Sequence, residues 1–506
     1  MAPKKQTHKK NPAKQTDPGF RRRPDALRDR DYGGQVAGGP VRFADSARRA
    51  FSKASFLIKN GVIISDPSLV FIDASVRAEK IAPGTVLHPF CRISGSKTSI
   101  GPGCILGAEA PVTLDDCQLG SEVKLGGGYF CGATFLDKSG MGSGAHVRPG
   151  TLLEEFASGA HTVGLKQTIL FPYVALGSLI NFCDCLMAGG TGRKNHGEVG
   201  SSYIHFNFTP HQDKATASLI GDAPRGVLLD QPPVFLGGQG GLVGPSRIAF
   251  GAIIPAGMII RKDILSPGGG PAAPRADIST VSLPVFGQGS VATERDGHPI
   301  THTGPGGGEE QKNAAGGGFI AGAYRSIDRI VKNNLIYIGN ICALKMWYRH
   351  ARKIFMAADP FQAACQAGAL ERLDVILKER IVRLGELAEK MPRSVELNVK
   401  AGNAGLEYLQ QQKCFAGQWA KMREKTDRLG KFEGDTAKRD ACLAELSSIG
   451  GRKPYLEAMV SLSPNNKANA SEWLQSIVDR AAEIWKTDKQ EKSASHRGHR
   501  VHGDKN

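Results

Sequence analysis

The chain has no run of about eighteen uncharged apolar residues, so no transmembrane helix is expected. Its basic start lacks the following apolar segment of about 7–15 residues that a secretory signal needs. Ten cysteines are scattered from Cys91 to Cys442 without a CxxC pair, and Cys183 and Cys185 stand too close for an ordinary zinc knuckle. Free thiols in a reducing cytoplasm, and no metal site, are the expectation. Glycine supplies 63 of 506 residues, about 12% against a usual ~7%, yet it follows no Gly-X-Y period, which excludes collagen. An apolar fraction of 41% beside a charged fraction of 22% leaves a chain able to build a real core.

What is present is unevenly placed. Of the formal net charge of +17, residues 1–60 hold 15 Lys/Arg against 5 Asp/Glu, and residues 484–506 hold 6 against 3. The interior is therefore nearly balanced. Residues 1–43 and 487–506 are basic and poor in large apolar side chains, so both read as disordered tails. A basic tail attracts nucleic acid or anionic membrane, but a solubilising tail without a specific partner is the simpler reading.

A repeat then organises the chain. Aliphatic positions run Ile81, Leu87, Ile93, Ile100, Leu106, Val112, Leu119 and Leu125 to Cys131, at steps of six with a seventh residue every third step. The register returns as Leu236, Leu242, Ile248, Ile254 and Ile260. A period of six is neither helical nor simple strand alternation. It fits a short strand plus a turn, three to a coil, with one aliphatic side chain per repeat pointing inward. The small residue after most of these positions suits a sharp corner, where glycine reaches backbone angles that others avoid, and the seventh residue suggests a recurrent bulge. The fold class is mainly β: a left-handed parallel β-helix of hexapeptide repeats over 60–264, less regular around 150–235, within a domain of 44–264 that adds a capping helix. Residues 44–59 read as a helix capping its open end, stopped by Asn60-Gly61.

Residues 265–318 (PGGGPAAP, HTGPGGGEE, AAGGG) read as a Gly/Pro-rich linker. From 319 to 486 the apolar spacing turns helical, as in Leu370, Leu373, Ile376, Leu377, Ile381, Leu384 and Leu387. A further helix is expected over 471–486, with Ser471 as its N-cap. The cluster Trp347-Tyr348-Arg349-His350 could face RNA, but at helical spacing the core is the expected place for such aromatics.

The segments NGVIISDPSLVFIDASV, HVRPGTLL, VGLKQTIL, HFNFTPHQDKATASLIGD and VFLGGQGGLVGPSRIAFGAIIPAG occur in that order. Together they resemble the C-terminal acetyltransferase domain of the bifunctional UDP-N-acetylglucosamine pyrophosphorylase / glucosamine-1-phosphate acetyltransferases, over residues 60–264. The resemblance implies a cytoplasmic homotrimer of β-helices that uses acetyl-CoA as cosubstrate to N-acetylate an amino-sugar phosphate or nucleotide sugar. It implies substrate contacts at Arg148, Lys166, Asn207 and Lys214, and a coenzyme cleft at Ser201, Gly238 and Ala256. The family's LAAGxGTRM-type loop is not found before residue 60, so uridyltransferase activity is not expected.

The sequence departs from the family where the proton moves. The catalytic histidine's position is Ser178, its partner glutamate's is Gly164, and a tyrosine and an asparagine of the sugar site become Asn181 and Glu198. His205 is the expected replacement base, on the reasoning that it shares a strand face with Asn207; His161 and His211 are further candidates. A catalytically inactive sugar-nucleotide-binding or scaffold protein is the alternative.

Overall fold

The computed structural model describes residues 53–266 and 319–498, with side chains to Trp485. The expected N-terminal tail, the start of the capping helix and nearly all of the linker lie outside the described residues. Within them, aliphatic residues three to a coil produce three parallel sheets of ten, ten and eight strands. The first face runs from Ile63–Ile64 to Ile253–Ile254, the second from Phe71–Ile72 to Ile259–Ile260, and the third from Ser99–Ile100 to Arg247–Ile248. Every pairing between coils is parallel and in register, as in Leu87↔Leu106 and Leu106↔Leu125. This is the solenoid of a left-handed β-helix.

Each face sends one buried column into the interior. On the first face Leu87, Leu106, Leu125 and Met141, then Leu176, Val199 and Leu236, stack in line, with Gly159 on the coil between Met141 and Leu176, where the Met141 methyl takes the space of a side chain. Burial of each such side chain contributes about 1.5–3 kcal/mol. On the second face the sequence register slips. Ile93 pairs with Leu114 and Leu114 with Phe130, so these, not Val112 and Cys131, continue the column. The cause is strand length: Val112–Asp115 and Gly128–Cys131 are four residues long, and alternation leaves Cys131 half-buried beside Asp115.

The corners meet the expectation in part: Gly107, after Leu106, and Gly132, after Cys131, have φ +84° and +56°. Gly101 and Gly120, each following a core aliphatic, are needed for close stacking: a Cβ on Gly101 would lie 2.5 Å from the Gly120 carbonyl oxygen. At this corner, between the third and first faces, the left-handed residue comes two positions later. Gly103 there has φ +70°, and the same corner on later coils is held by Glu122, Lys138, Phe156 and Tyr173 at φ between 57° and 70°. Non-glycine residues accept this at about 1–2 kcal/mol each because the stacked coils impose it.

Helix α1 (residues 53–59) does cap the open end. Ala54 and Leu57 are buried, and Lys53 Nζ donates to the carbonyls of Asp73 and Val76 at 2.6 and 2.7 Å. A short turn α2 (Ala223–Gly226) interrupts the upper coils. Then follow α3 (Asp328–Trp347), a π-helical turn Tyr348–Arg352, α4 (Lys353–Met356), α5 (Pro360–Lys400), α6 (Glu407–Leu429), α7 (Thr436–Gly450), α8 (Tyr455–Ser461) and α9 (Pro464–Gly498). Asp359 caps α5, accepting from the N–H groups of Phe361 and Gln362 ahead of a favourable Pro360. Ser471 is interior to α9, because Ser463-Pro464 already opens it; Ser463 Oγ accepts from Asn466 N at 3.4 Å. The helix also continues to Gly498, into the stretch expected as a tail.

Helices α3 and α5 lie on the third face and seal it. Its outward side chains Ser99, Gln118, Thr134 and Thr151 are polar yet buried. Gly368 of α5 lets the helix settle on them: a Cβ there would fall 2.1 Å from Gln118 Oε1. Arg372 donates to that same Oε1 at 3.1 Å and to the Asp116 carbonyl at 3.0 Å. Trp347 and Tyr348 are core residues: the indole donates to Tyr455, and the phenol to Glu154 at 2.6 Å. Arg352, fully buried, forks onto Glu155 and reaches Glu154 at 3.3 Å. Burial pushes the Glu154 carboxyl up to about 6, against the pull of Arg352.

Removing one partner of a buried pair strands the other charge, at a cost of about 3–5 kcal/mol. Arg352→Met is therefore expected to lower unfolding stability by that amount in urea. A companion variant, Arg352→Met with Glu154→Gln and Glu155→Gln, should recover part of the loss.

Candidate active site

Strands of the second face run from a corner shared with the first face to a corner shared with the third. The candidate residues gather at these two corners. At the far corner, Arg148 and Lys166 close successive strands, Ala145–Val147 and Gly164–Lys166, and Lys166 pairs with Cys183 on the next coil. The Arg148 guanidinium reaches along this edge to Cys183 Sγ at 3.5 Å. Burial and the neighbouring Asp184 raise the Cys183 thiol, while Arg148 and Lys166 draw it down. Among the described residues neither cation pairs with a carboxylate. Asn207 follows the next strand up, Ile204–Phe206, and is half-buried. Lys214, exposed, belongs to the loop that starts at Asn207.

That loop is held by the helices, a feature that nothing in the local sequence announces. Arg380 of α5 is buried, pairs with Asp184 at 2.9 Å, and donates to Gln167 Oε1 at 3.1 Å and to the Lys214 carbonyl at 3.3 Å. Tyr324 donates to Asp213 at 3.0 Å and stacks on His211 at 4.3 Å, and Lys390 donates to the Gln212 carbonyl at 2.6 Å. Burial lowers the His211 imidazole and commits it to this packing.

At the near corner, Ser201, Gly238 and Ala256 stack on successive coils. A Cβ on Gly238 would meet the Ser201 carbonyl oxygen at 2.8 Å, and one on Gly237 the Ala256 nitrogen at 2.3 Å. One coil below, Ser178 N donates to Ser201 Oγ at 3.2 Å, and Ser178 Oγ lies 2.8 Å from His161 Nδ1. His161 is exposed. Gly164, between this pair and the cations, has open space: a Cβ there meets nothing closer than 3.9 Å.

His205 is misplaced as a base. It pairs with Leu242 and continues the inward column of Leu165 and Phe182. It is 3% exposed, its Nε2 is engaged by Ser218 Oγ at 2.8 Å, and burial lowers its pKa to about 4. Asn207 lies past the end of the strand Ile204–Phe206, where alternation no longer fixes direction, so its two-residue spacing from His205 does not put both on one strand face. Among the described residues no group of three or more His, Cys, Asp and Glu side chains could hold a metal ion, and no helix is long and apolar enough to cross a membrane.

No protein-family model matches the chain. Curated relatives do. The bifunctional protein GlmU of Thermotoga petrophila is 27% identical over 213 residues, 42% of this chain and 42% of its own. That of Pelobacter propionicus is 30% identical over 209 residues, 41% and 40% respectively, and that of Trichlorobacter lovleyi 28% over 226, 44% of each. The chain is homologous to GlmU over a stretch about as long as the solenoid. It spans less than half the length of the GlmU proteins it matches. The parallel coils fit a GlmU-like acetyltransferase domain, and with the homology they support a hexapeptide-repeat acyltransferase-like protein.

The buried histidine makes stability depend on pH. It titrates near 6.5 when unfolded and near 4 when folded, so the unfolded chain binds more protons in between. Its contribution is complete above about pH 6.5 and is lost as pH falls towards 4, by about 3 kcal/mol. His205→Leu should flatten that part of the stability profile measured by urea unfolding; an unchanged slope would refute the assignment.

Proposed function

We propose that the protein is a cytoplasmic homotrimeric acyltransferase that N-acetylates an amino-sugar phosphate or nucleotide sugar, with His161 as the replaced general base. The His161–Ser178 contact carries this reading. Ser178 occupies the position of the family histidine, and the imidazole of the coil below reaches it. With Ser178 Oγ accepting from Nδ1–H, the tautomer that results leaves Nε2 bare to take a proton from the acceptor's amine.

The surrounding residues suit the other tasks. Arg148 and Lys166 would hold a phosphate, the guanidinium in bidentate fashion, with Asn207 and Lys214 beside the sugar. The open floor at Gly164 leaves room for the acceptor between these cations and His161. Ser201, Gly238 and Ala256 present small side chains, and Leu179, Phe235 and Ile253 nearby are exposed, which fits the apolar arm of acetyl-CoA. When bound, that cosubstrate supplies the acyl group as a thioester. Proximity then does much of the work, since the chain need only align amine and acyl donor and accept one proton.

The purified protein mixed with acetyl-CoA and glucosamine 1-phosphate or UDP-glucosamine should release free thiol. His161→Ala should slow this by about 10²–10⁴-fold without loss of coenzyme binding, and Ser178→Ala by less. Absence of both turnover and coenzyme A binding would overturn the reading. Tight sugar-nucleotide binding without turnover would instead favour the non-catalytic binding protein.

A further inference from the structure

A groove of about 560 Å³ crosses the outer side of the first face, beginning one coil below His161. Its floor is nearly bare of side chains, with Gly126, Gly140 and Gly142 in it, and Ile105, Met141 and Phe156 give it apolar walls. The charged groups at its border stand in water: Glu109, Lys124, Lys138 and Arg193 are exposed, and Lys138 pairs with Glu122 at 3.6 Å. Lys138 and Arg193 lie over the Phe156 ring, at 5.6 and 5.3 Å from its centre, which draws both heads to the corner with the third face. The methylene stems of such side chains cover apolar surface while their heads stay solvated.

The opposite end of the groove meets the candidate reaction centre. Along the corner between the first and second faces the coils stack Gly126, Gly142, Ala160, Gly177, Gly200 and Gly237. Each of these N–H groups, up to Gly200, donates to the carbonyl of the residue just before the next one. This track of small residues starts beside Ser201, Gly238 and Ala256, passes Ser178 and His161, and runs down into the groove at Gly142. A Cβ on Gly142 would lie 3.1 Å from the His161 nitrogen, so the groove begins at the backbone of the candidate base.

We infer that this groove seats the hydrocarbon chain of an acyl group longer than acetyl, so that the donor is a medium-chain acyl thioester. Such a donor presupposes the acyltransferase reading and widens it beyond acetyl. With the coenzyme above His161 and the groove below, the thioester carbonyl falls between them, at His161 and Ser178. The balance is the same at every chain length. The amine nitrogen bonds to the carbonyl carbon, the C–S bond breaks, and the proton taken by His161 passes to the departing thiolate. An acetyl group has only a methyl beyond its carbonyl, and it would leave unused a volume inside the ~300–1,000 Å³ range of ligand pockets. Each further methylene taken out of water adds about fourfold in affinity.

Calorimetry with coenzyme A, acetyl-CoA and octanoyl-CoA tests the groove, and thiol release with glucosamine 1-phosphate or UDP-glucosamine as acceptor tests the transfer. Octanoyl-CoA should bind at least tenfold more tightly than acetyl-CoA and show the higher kcat/KM. Ser158, which points outward beside Gly140, and the exposed Ala108 border the groove at separate places. Ser158→Phe and Ala108→Trp should each cut the octanoyl-to-acetyl ratio at least tenfold, and a ratio within one variant is insensitive to a general loss of activity. Equal affinity for the two thioesters, an octanoyl advantage that survives both variants, or octanoyl-CoA that only inhibits acetyl transfer would overturn the inference alone. Tighter octanoyl-CoA binding without thiol release from any donor would overturn the acyltransferase reading instead, and absence of binding by all three probes would overturn both.

Discussion

Three buried guanidinium groups decide which surfaces of this protein can act. Arg352, Arg372 and Arg380 reach from the helices to different levels of the solenoid's third face, at Glu154–Glu155, Asp116–Gln118 and Gln167–Asp184. A buried charge without a partner costs several kcal/mol, so each arginine fixes the helix that bears it against one set of coils. With the third face committed to this contact, the first and second faces and the corner between them are left for ligands.

The same contact shapes the candidate site. Arg380 meets Asp184 and Gln167, the residues that directly follow Cys183 and Lys166, and it also holds the backbone of Lys214. The edge that presents Lys166 to solvent is thus built from both solenoid and helix. The near corner is different, since His161, Ser178 and Ser201 are brought together by coil stacking alone. One part of the site depends on the helical region and the other does not.

Much of this was legible in the sequence. A six-residue period can be read from Ile81 onward because each coil repeats one buried position per face, and the capping helix and the apolar stripe of α5 follow from ordinary amphipathic spacing. What failed was local. The two longer strands on the second face moved the column from Val112 to Leu114, and the glycines after repeat positions answered partly to backbone angle, as at Gly107 and Gly132, and partly to stacking, as at Gly101 and Gly120. His205 could not be placed inside or outside from its neighbours alone. The His161–Ser178 contact joins successive coils, so it becomes visible only once the pitch is known. The clamp on residues 207–214 joins segments more than a hundred residues apart, and no spacing rule reaches that far.

Helix α5 has one more consequence. A bare solenoid is nearly one-dimensional: each coil touches only its neighbours, and the stack can open a rung at a time. A 41-residue helix, about 60 Å long at ~1.5 Å per residue, touches the coils at Gln118, Thr134, Gln167 and Asp184 at once. It acts as a splint across those rungs. None of them can come loose without surrendering contacts several levels away, so a fold that would otherwise fray gradually is tied into a single cooperative unit.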